Sequence, residues 1–380
     1  MKYWRWEAVP SDLGRNGYLT FVPDFGGWNN VRLGLECALV IAVLSRKILV
    51  LPPPQPIYLL NKCRHKCVFS LLDLVPALER FSISAEEWTR RIRAPSRIRA
   101  LASGCEPRKS AQMSCFEYYE FLENFSTFVP DASKQVIREP IDAQHLRSGA
   151  MKTHGSTTDE GRLLVPFYAY VKAGAYYKRL VRDTIRHSER VTCAAAQIIQ
   201  ALGEFSSAHI RRGDFQFHPI TPQQFLELVD RVRRPSETLY VATDSNETFP
   251  GYVKTLADFP LDLNVNEYGL VDVLVAAHGR TFTGTWFSTF TGHIQRIRGY
   301  AGYPDNSTYF APASRWAAAQ AFEKPRSPWY MREWPEAWRD IDDDTADGTR
   351  PRPGELTFDV NVHPSIATTG YDLSMAFVAS

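Results

Sequence analysis

An α/β fold of two Rossmann-like, doubly wound domains facing a cleft is predicted by three features of this sequence. Residues 18–53 read as strand, Gly-Gly turn, helix, strand. From residue 191 onward strands and helices alternate at short, regular spacing. The length, 380 residues, accommodates two domains of ordinary size. Their expected bounds are 1–190 for an N-terminal domain and 191–335 for a C-terminal one. Residues 336–380 are expected to form an acidic linker and tail.

In the first half, "YLTFVP" (18–23) is strand-like and the turn "DFGGWNN" (24–30) follows it. A helix is predicted over 31–46, then the strand "KILVLPP" (47–53), whose unbroken apolar run suits a parallel strand covered on both faces. Residues 54–165 hold only short amphipathic pieces, and the basic run "RRIRAPSRIR" (90–99) is taken as a solvated face.

In the second half, "TCAAAQIIQAL" is a helix and "AHIRR" a strand. "TPQQFLELVDRV" (221–232) opens with Thr at the N-cap, Pro at the first helical position and Gln three residues after the cap. Strand 238–245, helix "GYVKTLADF", strand "LDLNV", helix 269–279, strand "TFTGT" and helix "FSTFTGHIQRIRG" complete the alternation. The acidic "DIDDDTADGTRPRPG" (340–354) is expected to be flexible.

Composition narrows the function. A net charge of +2 is too balanced for a dedicated nucleic-acid binder. The longest apolar run, 35–44, contains Glu36 and is too short to span a bilayer, and the first ten residues carry no apolar signal core. Of the six cysteines, Cys37 and Cys193 are expected to be buried thiols, while Cys63, Cys67, Cys105 and Cys115 lie in polar sequence that allows disulfides. Sequons at Asn124, Asn246 and Asn306 favour a secretory lumen; the missing signal favours the cytoplasm or a fragment.

Three stretches fall where a ligand would bind, beyond the carboxyl ends of strands. The first is the turn at Gly26 and Gly27, where absent side chains allow close backbone approach. It lacks the Gly-x-Gly-x-x-Gly fingerprint, which disfavours nicotinamide and flavin cofactors. The second is "SSAHIRRGDFQF" (206–217), which pushes His209, Arg211, Arg212 and Asp214 out of a strand end. The third is "TGTWFSTF" (283–290), a strand and Gly turn leading to hydroxyls at a helix start, a natural anion site unless Ser288 or Thr289 serves as an ordinary N-cap. Asp272, inside the apolar helix "LVDVLVAA", is costly to bury without donors. A guanine edge would supply two N–H groups; a salt bridge or an exposed helix position would also explain it.

Together these stretches resemble the GDP-fucose protein O-fucosyltransferase family. Its Gly-Gly-x-Asn-x-x-Arg turn is matched by "GGWNNVR", His-x-Arg by His209-Ile210-Arg211, and Thr-Gly-x-x-x-Ser-Thr-Phe by Thr283 to Phe290, with Asp272 eighteen residues before Phe290. The resemblance implies a GT-B-like fold and an inverting, metal-independent transfer of fucose from GDP-fucose to a hydroxyl of a protein or glycan. GDP-fucose would be a substrate bound by the C-terminal domain, with the N-terminal domain on the acceptor side, and no cofactor is implied. Arg211 would neutralise the β-phosphate of departing GDP. Ser288, Thr289 and the Phe290 N–H would hold phosphates, His209 would line the guanosine pocket and Asp272 would read guanine. Trp28, Asn30 and Asp244 join Gly26, Gly27 and Asp214 as candidate substrate contacts. One branch of the family carries a Glu base beside its first Gly. Here that place holds Gly26-Gly27, leaving Asp24, Asn29 and Asp214 as candidates to handle the acceptor proton. Another GDP-sugar, or a pseudoenzyme binding nucleotide or glycan, is the alternative. Implied localisation is the ER or Golgi lumen.

Overall fold

The structure, a computed structural model, describes residues 9–15, 17–21, 27–44, 46–55, 76–104, 116–123, 175–212, 221–244, 248–286, 288–311, 333, 335–339 and 341–342. The chain divides into two compact units: Trp4–Arg186 with Asp342–Ser380, and His187–Ile341 with Met1–Tyr3. Each contains a parallel sheet flanked by helices, so the fold is α/β.

The first unit opens with β1 (Tyr18–Leu19), α1 (Trp28–Leu44), β2 (Ile48–Val50) and β3 (Ser82–Ile83). The strands pair in that order, all parallel. Both predicted strands are longer than those observed. After β2 come three prolines, Pro52, Pro53 and Pro54, which bring no N–H to a ladder. α1 is apolar nearly all round and correspondingly buried. The charge interrupting its run, Glu36, is neutralised by an ion pair with Arg32 one turn earlier, both almost wholly buried. Short helices α2 (Ala85–Arg91), α3 (Ser96–Ala102) and α4 (Phe116–Glu123) enclose a core around Trp88 and Tyr118. The basic run between 90 and 99 gives Ala94 and Ile98 to that core and keeps its arginines on the surface, with Arg90 and Arg91 paired to Glu87 and Arg97 to Glu117. In α5 (Ala175–Thr184), buried Arg182 meets Asp183 at 2.8 Å and Asp342 at 2.8 Å.

The second unit runs α6 (Glu189–Leu202), β4 (Phe205–Ile210), α7 (Pro222–Val229), β5 (Thr238–Thr243), β6 (Val253–Lys254), α8 (Tyr268–Ala277), β7 (Phe282–Thr285), α9 (Thr289–Tyr300) and β8 (Thr308–Ala311). Its parallel sheet has the order β6-β5-β4-β7-β8. The helix boundaries follow their caps. Ser188 caps α6, Gly203 ends it at φ +65°, and Thr221 with Gln224 forms the capping box anticipated for α7. β4 is central and all six of its residues are buried. One face of the sheet (Ala208, Ile210, Leu239, Val241) packs with Phe225 and Leu226 of α7. On the other, the Ser207 hydroxyl donates to the Ala276 carbonyl of α8 at 2.6 Å. At the amino ends of the strands Glu237 accepts from Ser206, from the Arg234 N–H and twice from Arg280. Burial pushes this carboxyl up, but the Arg280, Arg234 and Ser206 hydrogen bonds outweigh it and hold it below its ordinary value.

Several expectations are corrected. Residues 251–259 are not a helix and 261–265 are not a strand. Pro260 disfavours helical backbone at the residue before it, Phe259 is extended, and the segment forms β6 and a single 3₁₀ turn, Leu256–Asp258. β8 had no counterpart in the sequence reading. Cys193 is exposed, because the buried stripe of α6 is Val191, Ala194, Ala195 and Ile198. Nor is the chain beyond 335 tail from its first residue. Trp338 is fully buried, edge-on to Tyr300 at 5.7 Å and under the Arg296 guanidinium at 4.0 Å, while Arg296 forms a buried pair with Glu333. Gly299 makes room: a Cβ there would stand 2.4 Å from the Pro335 carbonyl oxygen. Ile341 is buried and Asp342 is paired, so the flexible reading fails at the start of the acidic run.

Candidate functional site

The strand order of the second unit places its site. From β4 the chain steps outward through β5 to β6; from β7 it steps the other way to β8. The connections diverge between β4 and β7, leaving a crevice at their carboxyl ends where doubly wound sheets bind ligands. His209 and Arg211 leave the end of β4 there. Thr285, Ser288, Thr289 and Phe290 lie at the end of β7 and the start of α9.

His209 is 4% exposed and stacks on Phe290, with ring centroids 4.4 Å apart at 27°. Its Nδ1 is 2.9 Å from the Thr291 hydroxyl. Burial, with Arg211 adding to it, lowers its pKa to about 3, so the ring is neutral at physiological pH. Phe290 also reaches α8, where a Cβ on Gly269 would meet its ring at 3.7 Å, an ordinary contact.

Arg211 and Arg212 both lie past the last residue of β4, so strand alternation does not choose between them. Asp244, just beyond β5, singles out Arg211 instead. Its Oδ2 is 2.8 Å from Arg211 Nη1, and its Oδ1 accepts the Arg212 backbone N–H at 2.8 Å. The Arg211 N–H donates to Thr285 Oγ1 at 3.0 Å. Asp244 was expected to touch substrate; in this structure it holds the arginine.

Ser288 occupies the N-cap position of α9, yet its hydroxyl accepts no N–H of that helix. It is therefore not the ordinary cap that the sequence allowed, and the positive end of the α9 dipole stands beside Arg211's strand. Thr289 and Phe290 are the first two helical residues.

Asp272 is neither exposed nor salt-bridged among the described residues. It accepts the Tyr240 hydroxyl proton at 2.6 Å, and burial raises its pKa to about 7 against that hydrogen bond. It sits one turn after Gly269, the residue beneath Phe290.

In the first unit Gly27 precedes α1, and its carbonyl accepts the N–H groups of Asn30 and Val31. Trp28 and Asn29 are buried, and neither Trp28 Nε1 nor Asn29 Oδ1 has a partner; Asn30 is half-buried. Asp24, Gly26 and Asp214 lie outside the described residues, as do Cys63, Cys67, Cys105 and Cys115. Among the described residues no group of three or more His, Cys, Asp or Glu is arranged to hold a metal ion, and no helix is long and apolar enough to cross a membrane.

Sequence reasoning missed Tyr240, Thr285 and Thr291. The two threonines flank the Ser-Thr-Phe run, and a strand that brings hydroxyls to both sides of Gly284 was the available signal.

Comparison with known proteins gives this architecture a family. The model of the GDP-fucose protein O-fucosyltransferase family matches residues 18–301. The chain belongs to that family. GDP-fucose protein O-fucosyltransferase 2 of Drosophila melanogaster is 29% identical over 172 residues, 39% of this chain and 33% of that protein. Its Caenorhabditis elegans namesake is 27% identical over 146 residues, 34% of this chain and 33% of that protein. The matched stretch thus spans about a third of either curated relative's length. A crystal structure of POFUT1 in complex with GDP-fucose superimposes with a TM-score of 0.46 at 16% identity, covering 80% of this chain and 99% of that one. NodZ alpha-1,6-fucosyltransferase soaked with GDP-fucose gives 0.41 at 12%, covering 79% and 97%.

Proposed function

We propose that this protein is an inverting fucosyltransferase that moves fucose from GDP-fucose to a hydroxyl of a protein acceptor without a metal ion. The carrying observation is the Arg211–Asp244 pair at the carboxyl ends of β4 and β5, next to the β4–β7 crevice and to a helix start whose N-cap hydroxyl is unspent. Family membership and the relatives' names supply the donor and the class of acceptor.

In this reading GDP lies along the crevice. The phosphates meet Arg211, the hydroxyls of Ser288 and Thr289 and the amino end of α9. The base lies toward His209, Phe290 and Asp272. The acceptor oxygen attacks the anomeric carbon from the face opposite GDP, and the bond from that carbon to the β-phosphate oxygen breaks. Negative charge grows on the diphosphate as the sugar becomes oxocarbenium-like, so a fixed guanidinium and helix dipole stabilise the transition state more than the ground state. That is the work a divalent ion does in metal-dependent transferases. The acceptor's proton goes to a carboxylate. Of the three candidates Asp24 and Asp214 can take it, whereas the Asn29 amide can only orient. The N-terminal unit, with Gly26, Gly27, Trp28, Asn29 and Asn30, is assigned to the acceptor. A lumenal location is supported by the exposed Asn306 of one sequon.

A panel of nucleotide sugars in a thermal-shift assay tests the reading, since a ligand that binds only the native state raises the melting temperature. GDP and GDP-fucose should stabilise the protein in chelator as well as without it. Stabilisation by UDP-sugars alone, or only with added manganese, would refute it.

A further inference from the structure

Two threonine hydroxyls close a ring of hydrogen bonds behind His209 and Arg211. Thr291 Oγ1 donates to the Thr285 carbonyl at 2.9 Å, and it lies 2.9 Å from His209 Nδ1. A hydroxyl has one proton to give. With that proton on a carbonyl, which only accepts, Nδ1 must be the donor toward Thr291. The second hydroxyl, Thr285 Oγ1, donates to the His209 carbonyl at 2.9 Å and accepts the Arg211 N–H at 3.0 Å. Every donor in the ring has an acceptor, and both threonine side chains are buried. Helix α9 approaches β7 closely enough for this because residue 284 is glycine. A Cβ on Gly284 would stand 2.3 Å from the Thr291 methyl and 2.8 Å from its hydroxyl.

We infer that Thr285 and Thr291 are positioning residues that hold His209 as its Nδ1–H tautomer, leaving Nε2 as the ring's acceptor, and fix the backbone from which Arg211 departs. The inference deepens, and for its consequence in binding rests on, the reading of this crevice as a GDP-sugar site. Neither threonine needs to touch the ligand. Thr291 sets which nitrogen of His209 can accept a ligand N–H or O–H, and Thr285 locks the β4 exit on which Arg211 and Asp244 meet. Buried networks of this kind are strong when fully satisfied and costly when broken.

The test labels histidine with ¹⁵N and reads the His209 ring, assigned by comparison with His209→Asn. The wild-type protein should show a protonated Nδ1 and an unprotonated Nε2 near pH 7. Thr291→Val keeps the shape, removes the acceptor, and should abolish or mix that tautomer; Thr291→Ser should keep it. In calorimetry GDP affinity should fall about tenfold in Thr291→Val, as for one lost hydrogen bond, and stay near wild type in Thr291→Ser. An unprotonated Nδ1 in the wild-type protein overturns the inference without any variant having to fold. So does a Thr291→Val protein that keeps both tautomer and GDP affinity. If the wild-type tautomer is as stated but GDP does not bind, the brace stands and the GDP-sugar reading falls.

Discussion

Asp244 holds Arg211 at 2.8 Å and, with its other oxygen, the backbone N–H of Arg212. One carboxylate therefore fixes both the guanidinium that the mechanism requires and the chain that carries it. Its removal should act on catalysis more than on folding. The pair is partly exposed, so Asp244→Asn should change stability by no more than about 1 kcal/mol. Turnover should drop about tenfold as the guanidinium loses its fixed position. Steady-state rates beside a denaturant melt check this; a large loss of stability with normal turnover of the folded fraction would make Asp244 structural.

Arg211→Ala should lower turnover by roughly a hundredfold or more, the usual cost of losing a preorganised charge on a developing anion. Arg212→Ala should be milder, because the bond that ties Arg212 to Asp244 comes from its backbone. Parallel assays of the two variants decide it. A greater loss in Arg212→Ala would mean that the wrong arginine has been placed on the phosphate.

Asp272 makes the stability of the protein pH-dependent. Its folded pKa of about 7 stands above its ordinary 3.8, mainly because it is buried, so the native state holds this proton more tightly than the unfolded chain. The stabilisation is complete below about pH 4 and is lost as pH rises through about 7. Asp272→Asn, which still accepts the Tyr240 hydroxyl, should be more stable than wild type at pH 8 by on the order of 1 kcal/mol or more, and the gap should close toward pH 4. Tyr240→Phe removes the hydrogen bond that favours the charged form and should move the midpoint further up. Melts across pH 4–9 measure both, and an Asp272→Asn difference that ignores pH would contradict the assignment.

Much of the second unit was legible because its elements advertise themselves: the capping box at Thr221, Pro222 and Gln224, the apolar run of α8, and the His-x-Arg and Ser-Thr-Phe stretches at strand ends. The Pro250–Pro260 segment was not, since Val253 and Thr255 suit a strand and a cap while the surrounding spacing imitates a helix. Trp338 and Asp342 were hidden for another reason. Their partners, Arg296, Tyr300 and Arg182, are distant in sequence, so composition alone made them tail. In the site, residue types were readable but their pairings were not. Asp244 and Asp272 were both expected to face ligand, and each proves to be engaged by a side chain of the protein itself.

The anchored start of the acidic run changes what truncation should do. Asp342→Ala leaves the buried Arg182 guanidinium with one carboxylate in place of two, which should cost about 1–3 kcal/mol while GDP affinity stays unchanged. Chemical denaturation and calorimetry on the same protein separate the two effects. Weakened GDP binding in the folded variant would connect this pair to the nucleotide site.

Metal-free GDP-sugar binding through Arg211 is measured most directly by calorimetric titration of GDP-fucose, GDP and UDP into wild-type protein and Arg211→Ala, in the presence of chelator. GDP and GDP-fucose should bind the wild type, UDP should bind much more weakly, and Arg211→Ala should lose at least about tenfold in GDP affinity, as for a charge-assisted hydrogen bond. Equal affinity for GDP and UDP, or an Arg211→Ala protein that binds GDP as the wild type does, would contradict it.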